Sequence, residues 1–140
     1  MKTLNELYDE VEKENIPVAN VKFSKKKAGI AHSPDTTVIC IDYSKVEDSK
    51  EEKLLLAEEK AHYDTGAYFG NTYLSIAKAE YKAQKRMRND VIPFHELKQK
   101  YREFCGNIDE LSDYFGIPPK EVAIAEYCYS EIEGYDEAKL

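Results

Sequence analysis

Apolar residues in this 140-residue chain follow a helical rhythm first, then a strand rhythm, then a helical one again. Leu4, Leu7, Tyr8 and Val11 recur every three or four positions among acidic residues, which predicts an amphipathic helix. It should end before Ile16-Pro17, because proline disfavours helical backbone in the residue preceding it. Positions 18–23, 28–32 and 36–43 then gather β-branched residues between turn formers such as Ser33-Pro34-Asp35. They read as three short strands of a small antiparallel sheet, with the first helix lying across it.

From Ser49 the period lengthens again. Leu54, Leu55, Ala57, Glu58, Ala61 and His62 fit one helix, with Ser49 as its capping residue, Glu51 and Glu52 in its first turn and a stop near Gly66. A second long helix is predicted to start near Asn71 or Thr72 and to carry Tyr73, Ile76, Ala77, Glu80, Ala83 and Met87 towards Pro93. Shorter helices follow over 96–104, 109–115 and 120–130, separated by Gly106-Asn107 and Gly116-Ile117-Pro118-Pro119. The tail from Glu133 reads as frayed. There is no internal repeat and no dividing linker. The expectation is one α+β domain: helix and sheet over 1–48, a helix pair over 49–92 and a helical portion over 93–132.

Composition narrows the function classes. With 42% hydrophobic and 34% charged residues and few Gly and Pro, the chain should bury a core, which excludes disordered and fibrous classes. The longest apolar pieces, such as Val38-Ile39-Cys40-Ile41, fall far short of the ~18 residues of a membrane span. The first residues lack the apolar core of a signal peptide, so a cytoplasmic location is expected. A net charge of −7 repels phosphate backbones. Lys25-Lys26-Lys27 is the exception, and reads as a solvated hairpin tip or an edge guard. Cys40, Cys105 and Cys128 show no paired spacing and are expected to be reduced, small buried hydrophobes.

The candidate chemistry lies in Leu56-Ala57-Glu58-Glu59-Lys60-Ala61-His62-Tyr63. Residues four apart share a helical face, so Glu58 and His62 project together and Glu59 stands about 100° away. That is the ligand, base, ligand layout of the HExxH helix in zinc peptidases, with Glu58 in the first His position. Glu80, in the next helix, has two readings. It is an exposed acid paired with Lys82 or Arg86, or, if the helices are antiparallel neighbours, a third ligand beside Glu58 and His62.

Taken together, these segments resemble the ImmA/IrrE-type metallopeptidases, particularly their short phage-borne members. The resemblance runs through Thr37-Val38-Ile39-Cys40-Ile41-Asp42, the EExxH helix, Thr65-Gly66, Glu80-Tyr81-Lys82-Ala83-Gln84-Lys85, Val91-Ile92-Pro93 and Asp109-Glu110-Leu111-Ser112-Asp113-Tyr114-Phe115-Gly116-Ile117. It implies a zincin-like α+β fold and a zinc-dependent endopeptidase acting on a repressor-like protein, with Glu59 as base and His62 and Glu80 as metal ligands. Glu58 departs from the family pattern. As a third ligand it would place two anions on the metal, leaving bound water less acidic and favouring harder ions such as Mn²⁺. If Glu58 points away, Asp64 is the substitute. The alternative within the same fold is a catalytically silent protein that binds its partner without cleaving it.

In zincins the substrate backbone pairs with an edge strand beside the metal helix. Gly29 and Ile30 are the candidates here, Gly29 admitting a close backbone approach or marking a bulge. His32 and His95 read as an ordinary strand-end residue and a surface residue, and Tyr63 as core packing. The segment 108–125 has the outline of a helix-turn-helix. Its second helix offers base edges only Lys120 and Glu121 before turning apolar, so nucleic acid is a lesser alternative.

Overall fold

The computed structural model describes residues 1–66 and 73–132. The elements run α1 (Leu4–Lys13), β1 (Val18–Asn20), β2 (Ala28–His32), β3 (Thr37–Ile41), α2 (Ser49–Thr65), α3 (Tyr73–Val91), α4 (Phe94–Glu103), α5 (Ile108–Phe115) and α6 (Pro119–Tyr127), with a π-helical turn at Cys128–Ile132. The architecture is α+β. The expected start of α3 near Asn71 and the tail from Glu133 lie outside the described residues. Among the described residues, no helix is long and apolar enough to cross a membrane.

Local chemistry explains the ends of the elements. Thr3 and Glu6 form a reciprocal capping box at the start of α1. The cap of α2 is Asp48, one residue before the expected Ser49: its carboxylate accepts the Glu51 N–H at 2.9 Å. Gly66 closes α2 in the left-handed region (φ 66°), the conformation glycine adopts without a Cβ clash.

The sheet corrects the expected antiparallel arrangement. Its order is β1-β3-β2, with β1 parallel to β3 (Val18↔Ile39) and β2 antiparallel to it (Ala28↔Ile41, His32↔Thr37). The chain reverses twice, once in the loop 21–27 and once in the tight turn 33–36, so β3 runs the same way as β1. Because β1 and β2 are not neighbours, Lys25-Lys26-Lys27 lies in a crossover loop and not at a hairpin tip. Lys27 pairs with Glu51 at 2.9 Å, and Lys26 Nζ lies 4.9 Å from the centre of the Phe23 ring. Asp42, almost wholly buried, accepts the Phe23 N–H at 3.0 Å and ties this loop to the end of β3.

α2 runs through the middle of the core. Its Leu56, Ala57 and Ala61 are fully buried with Ile39 and Ile41 of the sheet, Leu7 and Val11 of α1, and Ala83, Met87 and Val91 of α3. α5 and α6 add Leu111, Phe115, Val122 and Ala125. Tyr63 packs partly buried against this core, as its pattern predicts. The cysteines are free but less buried than expected: Cys40 and Cys128 are half-buried, and Cys105 is exposed in the left-handed turn after α4.

Candidate functional site

α2 and α3 pack along their lengths, and the contact brings together two of the residues singled out from sequence. His62 Nε2 lies 3.4 Å from Glu80 Oε1. Ala83, one turn beyond Glu80, is 2% exposed, and its small side chain lets the helices approach. Glu80 therefore meets His62 and not Lys82 or Arg86; Arg86 turns to Asp64 and Asp90. Glu80 is 55% exposed and His62 16%, so the pair sits at the rim of the helix interface and opens to solvent.

Glu58 and Glu59 are half-buried beside this pair. Burial raises the Glu58 carboxyl to about 7, and the charges of Glu121, Glu59 and Glu80 push in the same direction. Burial also raises Glu59, with Glu80 adding to the effect while the charges of His62 and Lys26 oppose it. Glu121, at the start of α6, is raised by burial and held back by Lys120 and Arg88. The site is thus a cluster of half-buried carboxyls beside the His62–Glu80 pair, with the Lys26, Lys120 and Arg88 charges acting on it.

The expected ligand set is assembled in part. Two donors on adjacent corners of a zinc tetrahedron, each bonded at ~2.0–2.1 Å, stand about 3.4 Å apart. The His62–Glu80 separation matches that edge and is long for a direct hydrogen bond. Glu58 does not complete the set: among the described residues, no three His, Cys, Asp or Glu groups converge closely enough to hold a metal ion. Its strongest electrostatic neighbour is Glu121. Asp64 is no substitute, being engaged by Lys60 at 2.6 Å and Arg86 at 3.5 Å.

β2 is an edge strand packed against α2, and it contains Gly29 and Ile30. The register is continuous from Ala28↔Ile41 to His32↔Thr37, so Gly29 marks no bulge. A Cβ on Gly29 would come within 2.9 Å of Lys26 Nζ. The missing side chain thus makes room for Lys26 across the sheet face. His32 accepts or donates a 2.8 Å hydrogen bond with Thr37 Oγ1 as an ordinary strand-end residue, and His95 is exposed at the start of α4.

Sequence patterns alone missed Glu121 and Lys26. Both reach the site by tertiary packing from segments distant along the chain, and no local periodicity marks them. On the helix-turn-helix outline, Lys120 at the start of α6 is exposed while Glu121 is half-buried. No family model matches this chain, and comparison with curated proteins and with solved structures also yields no match.

Proposed function

We propose that this protein is a zincin-like, metal-dependent endopeptidase of the phage or mobile-element type, acting on a repressor-like protein. The observation that carries the reading is the His62–Glu80 pair, two ligand-type side chains from adjacent helices held 3.4 Å apart next to a half-buried Glu59. His62 and Glu80 would hold zinc, or manganese, with Glu58 on the same face of α2 as His62 as the candidate third ligand. Bound there, the metal supplies a Lewis acid that polarises the scissile carbonyl and acidifies the attacking water.

The chain's own residues do the rest. Glu59 takes a proton from the water and passes it to the leaving amine, a task suited to a carboxyl raised by burial. The β2 edge at Gly29 and Ile30 aligns the substrate backbone as an added strand. The Lys26 charge offsets the negative charge around Glu59.

Metal content tests the proposal. Protein prepared with ample zinc or manganese should retain about one equivalent, lost in His62→Ala and Glu80→Ala. Glu59→Gln should keep the metal and lose cleavage of a repressor-like substrate. Protein that stays metal-free under these conditions would overturn the peptidase reading and leave a partner-binding protein of the same fold.

A further inference from the structure

The outer face of α3 carries a feature that the metal chemistry does not use. Lys78, Lys82 and Lys85 are exposed and recur at i, i+4 and i+7, forming one stripe on the side of the helix opposite Glu80, Ala83 and Met87. Beside the stripe, Ala77 and Tyr81 join the three lysines in lining a shallow hollow of about 470 Å³, and Tyr81 is 46% exposed.

Elsewhere in the helices, and nearer the end of α3 itself, several cations are paired within their own helix. Lys60–Asp64, Arg86–Asp90 and Lys100–Glu103 are cation–carboxylate pairs one helical turn apart. Lys78, Lys82 and Lys85 form no ion pair with any described residue, and like charges one turn apart disfavour the helix by a few tenths of a kcal/mol. A basic stripe that no described residue compensates, flanking an exposed aromatic on a chain of net charge −7, is complementary to an acidic ligand with an apolar group.

We propose that this face of α3 is a docking surface for an acidic peptide segment, with carboxylates one helical turn apart contacting Lys78, Lys82 and Lys85 and one apolar side chain seated on Ala77 and Tyr81. The stripe extends about 10 Å along the helix axis, the reach of a two-turn acidic helix. A nucleic-acid backbone matches less well. It supplies phosphates but no apolar group for the hollow, and the remainder of this acidic molecule repels it. The surface is separate from the metal site and does not depend on it.

The test uses the full chain and a fluorescent synthetic amphipathic peptide with Glu at helical positions i, i+4 and i+7 and Leu at i+3. Fluorescence anisotropy should show salt-sensitive binding, weaker for the Gln-for-Glu peptide. Replacing all three lysines with Gln should weaken binding about tenfold, and Tyr81→Ala several-fold, with melting temperatures unchanged. A triple Lys→Glu protein should bind a charge-swapped Lys peptide, a rescue that a misfolded variant would not give. Equal affinity for the Glu and Gln peptides, or no effect of the lysine substitutions, would overturn the proposal. Tighter binding of a DNA duplex would overturn it in favour of nucleic acid. Self-association abolished by the same substitutions would overturn it in favour of a second copy.

Discussion

Glu58 shows what one position does when its neighbours are acidic. Burial and the charges of Glu121, Glu59 and Glu80 raise its carboxyl to about 7 in the folded chain, against 4.5 when unfolded. Between these values the folded state holds more protons than the unfolded state, so stability falls as pH rises from about 4.5 through 7. In metal-free protein, Glu58→Gln should remove this loss. Urea unfolding should show wild type less stable at pH 8 than at pH 5 by on the order of 1–3 kcal/mol more than the variant. Equal pH dependence of the two proteins would mean that Glu58 is better solvated than its surroundings imply. That Glu58 shares a helical face with His62 was legible from spacing alone. The effect of the Glu121 charge on it was not, because nothing local links α2 to α6.

At the scale of elements, boundaries follow from residues within a turn or two, and here sequence reading comes close. The extents of β2 and α2, the stop at Gly66 and the Gly116 turn all agree with expectation. Gly116 closes α5 at φ +68°, its N–H bonded to the Ser112 carbonyl. A Cβ there would meet Lys53 at 3.6 Å, an ordinary contact, so backbone strain sets the cost of a side chain. Gly116→Ala should therefore cost about 1 kcal/mol in chemical denaturation, and an unchanged midpoint would show that the turn relaxes. Sheet direction departs from the antiparallel expectation. Strand patterning reports which segments are extended, while the parallel pairing of β1 with β3 depends on where two loops carry the chain.

For the whole molecule, the central placement of α2 couples the candidate site to the fold. His62 and Glu80 belong to different helices whose packing builds much of the core, so a cation joining them would bind the folded chain and not the unfolded one. At about a hundredfold excess over Kd, zinc should stabilise the protein by about 2.7 kcal/mol. Calorimetry should register this as a melting-temperature rise of several degrees, reversed by chelator and absent in Glu80→Ala. No shift would leave the pair as a simple contact between imidazole and carboxylate.

By itself the sequence determined the types of the elements, most of their ends, and the shared face of Glu58 and His62 with Glu59 alongside. Each depends on hydrogen bonds and spacings that span a few residues. Long-range packing was needed to bring Glu80 to His62, to put Glu58 under the charge of Glu121, to lay Lys26 over Gly29 within the field of Glu59, and to run β1 parallel to β3. These relations join segments far apart in the chain, and they are set by how the buried faces of α1, α2, α3, α6 and the sheet pack against one another.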